Sequence, residues 1–142
     1  MTEKILLVDD EKDFVETLAE RMRSRDMGVT TATSAEDALE MIGEQSFDAI
    51  VLDLQMPGMN GLEALEAIKK KNPNLQVILL TGQATVEKGI QAMKLGAMDL
   101  LEKPADIDTL TEKIKKASAQ KMVLVNAETE KKLKDIMGGK GW

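Results

Sequence analysis

The chain has 142 residues, 43% of them hydrophobic and 31% charged, with a formal net charge of −6 and a pI of about 4.8. This is one domain's length, enough to bury a core, and its acidic balance argues against a nucleic-acid-binding surface. Without cysteine or histidine it has no disulfides, no thiolate or imidazole chemistry and no His-ligated metal, so any metal is a hard cation held by oxygen.

The opening residues Met1 to Ile5 lack a signal-peptide layout, and no apolar run reaches membrane-span length. The expected location is the cytoplasm, without membrane attachment. Ile5 to Val8 reads as a short buried strand ending in Asp9-Asp10. Phe14, Val15, Leu18, Ala19 and Met22 then recur at helical spacing, with Gly28 expected to end that helix. Val29 to Ala32 is a short strand. Ser34 is an N-cap for a helix carrying Ala35, Ala38, Leu39 and Ile42, closed by Gly43.

Ala49 to Leu52 is an apolar run that stops abruptly at Asp53, the pattern of a parallel strand covered on both faces. Pro57 and Gly58 break the strand direction. Asn60 caps the next helix, with Glu63 in capping-box position and Leu62, Leu65 and Ile68 as its buried stripe. After the Asn72-Pro73-Asn74 turn, Leu75 to Leu80 forms a strand ending in Thr81-Gly82. Val86, Ile90 and Met93 mark a fourth helix, closed by Gly96. Met98 to Leu101 is a fifth strand running into Glu102-Lys103-Pro104, and Asp106 caps a last helix with Ile107, Leu110 and Ile114 facing inward.

Five strands alternating with five helices over short links specify an α/β fold: a doubly wound, five-stranded parallel sheet with helices on both faces. Residues 1–120 are expected to form that domain and 121–142 a C-terminal helical tail. In the tail Met122, Val125, Leu133 and Ile136 fit a further helix ended by Gly138-Gly139. It reads either as an appendage packed on the domain or frayed, or as a helix that binds a partner or a second copy. It is too short for a helix-turn-helix output domain.

Open α/β sheets bind ligands at the carboxyl ends of their strands. Here those ends carry Asp9-Asp10, Asp53, Thr81 and Lys103, on one edge of one sheet. Three carboxylates together repel unless a cation enters, and Mg²⁺ suits them because it takes few carboxylates and accepts phosphate oxygens. Lys103 supplies an ammonium and Thr81 a hydroxyl for phosphoryl oxygens, Gly82 leaves space for a substrate, and one carboxylate is left to act as nucleophile.

The segments Leu7-Val8-Asp9-Asp10-Glu11, Leu52-Asp53-Leu54-Gln55-Met56-Pro57-Gly58-Met59-Asn60-Gly61, Leu80-Thr81-Gly82 and Gly96-Ala97-Met98-Asp99-Leu100-Leu101-Glu102-Lys103-Pro104 together resemble the receiver domain of two-component response regulators. The likeness runs from residue 3 to about 119, with the motifs in order. It implies a flavodoxin-like receiver fold in which Asp53 accepts a phosphoryl group from a phosphohistidine, carried by a sensor histidine kinase or a phosphotransfer protein. It also implies that Asp10 and Asp53 ligate Mg²⁺ directly, Asp9 largely through water, and Gln55 through its backbone carbonyl. Thr81 and Lys103 would hold the phosphoryl oxygens, and the Lys103-Pro104 bond would be cis. The output would be a protein target reached through the fourth helix, fifth strand and fifth helix, and the only chemistry catalysed would be the chain's own phosphorylation and dephosphorylation.

Two positions depart from the family pattern. Leu100 stands where receivers carry Tyr or Phe, so the ring movement that reshapes the family's output face has no counterpart there, and the signal is expected to travel by backbone and helix shifts. Ala105 replaces a common Phe. Gln55 and Gln83, at the mouth of the pocket, read either as regulators of phosphoryl lifetime or as surface polar residues. Against the phosphorylated switch stand three other readings. One is a phosphorylation-independent interaction module, and one is the receiver fragment of a larger transcriptional regulator. The third is a flavodoxin-like cofactor binder, which lacks a Gly/Ser/Thr phosphate loop and has no Tyr to stack a flavin.

Overall fold

The computed structural model describes residues 3–56, 58 and 60–138. Strands and helices alternate strictly: β1 (Lys4–Val8), α1 (Lys12–Arg23), β2 (Gly28–Ala32), α2 (Ala35–Glu44), β3 (Ala49–Asp53), α3 (Gly61–Lys71), β4 (Gln76–Thr81), α4 (Val86–Lys94), β5 (Asp99–Glu102) and α5 (Ile107–Gly138). The strands lie parallel in the order β2-β1-β3-β4-β5. The order reverses between β1 and β3, so the crevice beyond their carboxyl ends is the natural ligand position of such a sheet. Asp9-Asp10 and Asp53 sit at those two ends.

The pleat sorts the strand residues into two layers. Leu6 and Val8, Ile50 and Leu52, and Val77 and Leu79 pack against Ala38 and Ile42 of α2, Leu65 and Ile68 of α3, and Ala92 of α4. Ile5 and Leu7, Ala49 and Val51, and Ile78 and Leu80 pack against Val15, Leu18 and Met22 of α1 and Leu110 and Ile114 of α5. Central strand β3 is buried from end to end. Removing Ile50, Val51 and Leu52 from water is worth roughly 1.5–3 kcal/mol for each side chain, enough to hold Asp53 at the rim of a rigid strand.

The caps follow from local chemistry. Ser34 Oγ accepts from the Asp37 amide at 3.1 Å, and Asn60 Oδ1 from the Leu62 and Glu63 amides, both at 3.0 Å. The capping box is closed differently from expectation: the Glu63 carboxylate accepts from the Asn60 side-chain amide at 2.6 Å. Gly28 does not end α1. The helix stops at Arg23, the chain reverses through Asp26 in the left-handed region (φ 64°), and Gly28 already belongs to β2. Gly43 likewise lies inside the last turn of α2, whose cap is Gln45. Gly96, with φ 97°, does close the turn after α4. The Lys103-Pro104 bond is cis. Pro57, Met59 and Gly139, read above as turn, motif and helix-end residues, lie outside the described residues.

Two helices differ from the sequence reading in what they cover. Helix α4 forms, but Val86, Ile90 and Met93 are 80%, 51% and 56% exposed, and only Ala92 is buried. The tail is not a separate helix. It continues α5 without a break, giving 32 residues and a length of about 48 Å. Among the described residues Ala117 is the last fully buried one, and Lys121 pins the helix to the α2–β3 link by donating to the Phe47 carbonyl and to Ser46 Oγ. From Val125 to Ile136 every side chain is exposed.

Candidate functional site

The alternation that divides the core also decides which side chains meet at the strand ends. Asp9, Asp53 and Lys103 continue the register of Leu7, Val51 and Leu101, residues of the α1/α5 layer. Thr81 continues the register of Leu79, on the α4 side. Consistent with this, Lys103 Nζ reaches Asp9 Oδ2 at 2.7 Å, Asp53 Oδ1 at 3.5 Å and Glu11 Oε1 at 3.7 Å. Asp9 and Asp53 are 1% and 3% exposed, whereas Asp10 lies open to solvent. Carboxylate oxygens of Asp9, Asp10 and Asp53 all lie within 4.8 Å of one another.

Backbone amides add partial positive charge. Glu11 N donates to Asp9 Oδ1 at 2.9 Å, and Gln55 N donates to Asp53 Oδ1 at 3.3 Å. They do not balance the site. Burial first, and the neighbouring Asp9 charge second, push the Asp53 carboxyl up from 3.8 to about 6, against the opposing pull of the Gln55 amide and Lys103. Burial pulls the Lys103 ammonium down, but its hydrogen bond and charge contact with Asp9, helped by Asp53 and Glu11, outweigh that and hold it above the ordinary lysine value. The pocket therefore carries more negative charge than one lysine neutralises.

Thr81 is fully buried, and its hydroxyl is engaged away from the carboxylates. It donates to the Gln83 carbonyl at 3.2 Å and accepts from the Gln83 amide at 3.3 Å. The same carbonyl receives Lys88 Nζ at 2.9 Å, and Glu102 Oε2 accepts from the Ala84 amide at 2.7 Å. The loop from β4 to α4 is thus tied at three points, with Gln83 as the hub. A Cβ at Gly82 would meet nothing within 4 Å, so the pocket mouth is open there. Gly61 is the opposite case: a Cβ would lie 2.4 Å from Leu54 Cα and 2.8 Å from the Asp53 carbonyl oxygen. Only glycine lets α3 start this close to the Asp53 segment.

Of the residues singled out from sequence, Asp9, Asp10, Asp53 and Lys103 converge. Gln55 touches Asp53 through its amide, its side chain being exposed. Thr81 stands at the rim with its hydroxyl bonded elsewhere. Glu11, Lys88 and Glu102 were not given roles, nor was Phe14, whose ring centroid lies 4.4 Å from Lys103 Nζ. Apart from the Lys88–Gln83 bond, these contacts join residues distant in sequence and leave no periodic trace. The donor set suits Mg²⁺: hard oxygens only, clustered, under-neutralised and open on one side.

A family model described as the response regulator receiver domain matches residues 5–115. The chain belongs to this family. Among curated relatives, the transcriptional regulatory protein ZraR of Escherichia coli K12 is 38% identical over 115 residues, which span 81% of this chain and 26% of that protein. The chain thus spans about a quarter of the length of such relatives. Among solved structures, a response regulator receiver domain protein from Clostridium thermocellum is 34% identical with a TM-score of 0.81, covering 86% of this chain and 98% of its own. A structure described as an adenylate cyclase from Rhodopirellula baltica is 30% identical with a TM-score of 0.85. It covers 98% of its own chain and 93% of this receiver, which necessarily takes in part of the α5 continuation.

Proposed function

We propose that this receiver accepts a phosphoryl group onto Asp53 from a phosphohistidine of a sensor histidine kinase or phosphotransfer protein, in a Mg²⁺-dependent reaction that switches a protein-interaction surface. The observation that carries the reading is the convergence of Asp9, Asp10, Asp53 and Lys103 at the sheet's switch point, in a chain without histidine or cysteine. An Asp53 carboxylate oxygen attacks phosphorus, the phosphorus–nitrogen bond of the donor breaks, and an acyl phosphate forms. Lys103 lies on the Asp53 side of the pocket and offsets charge on the phosphoryl oxygens. Asp10 and Asp53 directly, Asp9 largely through water and Gln55 through its backbone carbonyl would hold Mg²⁺, as the family pattern implies. Bound there, the ion would supply charge neutralisation and a template for the in-line geometry. The chain acts catalytically on itself alone, in phosphorylation and in hydrolysis of the acyl phosphate.

The switch follows from Thr81. For its hydroxyl to serve a phosphoryl oxygen it leaves the Gln83 carbonyl, which releases one of the three ties on the β4–α4 loop. Helix α4 follows easily because it buries only Ala92. Beside it runs an apolar groove of about 690 Å³ lined by Val86, Ile90, Met93 and Leu100. Phosphorylation biases this surface between two states and so governs a protein target. Leu100 lines the groove where the family pattern has an aromatic, so α4 and its loop carry the signal.

Intact mass after incubation with Mg²⁺ and acetyl phosphate tests the reading. One phosphoryl adduct is expected, absent in Asp53→Asn and in EDTA. Mg²⁺ binding without an adduct from either acetyl phosphate or a phosphorylated kinase would leave a phosphorylation-independent interaction module in its place.

A second reading, the receiver as one part of a larger transcriptional regulator, is supported by the relatives' names and by their roughly fourfold greater length. The continuation of α5 presents Met122, Val123, Val125, Leu133 and Ile136 to solvent, which suits a homodimer through the last helices. In that case any contact with DNA belongs to other segments, since this chain is acidic. The encoding reading frame and the sedimentation behaviour of the protein test these two points. Among the described residues no helix is long and apolar enough to cross a membrane.

A further inference from the structure

Lys103 must stay aimed at the pocket for phosphoryl transfer, yet a lysine side chain is four flexible carbons long. On one side of its ammonium stand Asp9 and Asp53. The face of the Phe14 ring also lies against it, its centroid 4.4 Å away. Phe14 sits in the first turn of α1, half-buried against the α1/α5 layer. With Leu18, Pro104 and Ala105 it lines a cleft of about 220 Å³. Only 15% of the Lys103 side chain is exposed.

We propose that Phe14 is a positioning residue for phosphoryl transfer: its ring holds the Lys103 ammonium toward Asp9 and Asp53 and keeps water from one side of it. The inference rests on the reading of Asp53 and Lys103 given above. An aromatic ring is suited to the task because its negative face attracts a cation without carrying net charge. A further carboxylate at this place would hold the ammonium as well, but it would repel the incoming phosphoryl oxygens and draw the lysine away from them.

The test compares the wild type with Phe14→Leu, Phe14→Tyr and, as a core control, Phe47→Leu. Phe47 is buried at the far end of β3 from the pocket. The rate constant for phosphorylation by acetyl phosphate is measured in saturating Mg²⁺. The Lys103 ε-methylene resonances are followed on ¹³C-lysine-labelled protein. Phe14→Leu is expected to slow phosphorylation about 3- to 30-fold, the range of a partly desolvated cation–π contact. Phe14→Tyr is expected to keep the wild-type rate, and Phe47→Leu to lose stability but not rate.

The Lys103 protons of the wild type and of Phe14→Tyr should be shifted upfield by the ring, a signature that mere loss of packing would not produce. Two results would overturn the proposal: a Phe14→Leu rate equal to the wild type, or unshifted Lys103 protons in the wild type. The second does not depend on Phe14→Leu folding. A wild type that takes up no phosphoryl group from either donor would instead overturn the receiver reading itself. Normal wild-type phosphorylation with an unaffected Phe14→Leu would overturn only the role of Phe14.

Discussion

Replacing Asp53 by Asn should stabilise the metal-free protein, and the gain should depend on pH. The carboxyl sits 3% exposed beside Asp9, and its pKa is raised from 3.8 to about 6. A shift of that size corresponds to about 3 kcal/mol by which the folded state disfavours the ionised form. The figure is a ceiling, because the pocket mouth is open at Gly82 and admits water. Below the unfolded value near 3.8 the group is neutral in both states and costs nothing. Between 3.8 and 6 the native state binds more protons than the unfolded chain, so stability falls as pH rises. Above 6 the whole penalty is present. Asn is neutral throughout and nearly isosteric, so it never incurs it.

The assay is urea unfolding in EDTA at pH 4.5, 6 and 8. With a slope of about 2 kcal/mol per molar urea, a gain of up to about 3 kcal/mol at pH 8 moves the midpoint by roughly 1.5 M. The two proteins should converge toward pH 4. An Asn variant no more stable than the wild type at pH 8 would refute the reasoning, as would a gain of equal size at all three pH values. The first result would mean that Lys103 and the Gln55 amide already balance Asp53, and the second that the gain does not come from its ionisation.

Three other perturbations probe the same geometry. Mg²⁺ should bind roughly tenfold more weakly at pH 5 than at pH 7, because proton and ion compete for a carboxylate titrating near 6. Calorimetric titration checks this, and a pH-independent affinity would place the ion away from Asp53. Lys103→Met leaves Asp9 and Asp53 without their cation and should cost about 3 kcal/mol at pH 8, with a smaller loss at pH 5, measured by the same unfolding curves. Gly61→Ala forces a methyl against the backbone of Asp53 and Leu54. It should destabilise by about 1–3 kcal/mol and slow acetyl phosphate labelling, while Gly82→Ala should leave stability within error.

Element order, the buried character of β3 and the residues at the four strand ends were legible in the sequence. They depend on local patterns: apolar runs, helical spacing and capping residues such as Ser34 and Asn60. The strand-end argument works because parallel crossovers leave little choice about where a chain such as Leu52-Asp53 emerges. The breakers were less reliable. Gly28 and Gly43 marked the right neighbourhoods but not the helix ends, since Asp26 takes the left-handed conformation and α2 tolerates a glycine in its last turn.

Only the tertiary structure decided who touches whom. In strands buried on both faces, Ile5–Val8 of β1 and Ala49–Leu52 of β3 are apolar throughout, so the sequence carries no alternation to say which layer a side chain joins. That choice puts Lys103 with Asp9 and Asp53 and leaves Thr81 on the other side, bonded to Gln83. Lys103 follows β5, and its partners come from the β1–α1 link, α1 and β3, segments far from it in sequence, which is why Phe14 and Glu11 could not be read in advance. The exposed apolar face of α4 and the unbroken run of α5 belong to the same class. Helical periodicity shows that such residues share a face, but whether the fold covers that face depends on the space left once the sheet and the other helices have packed.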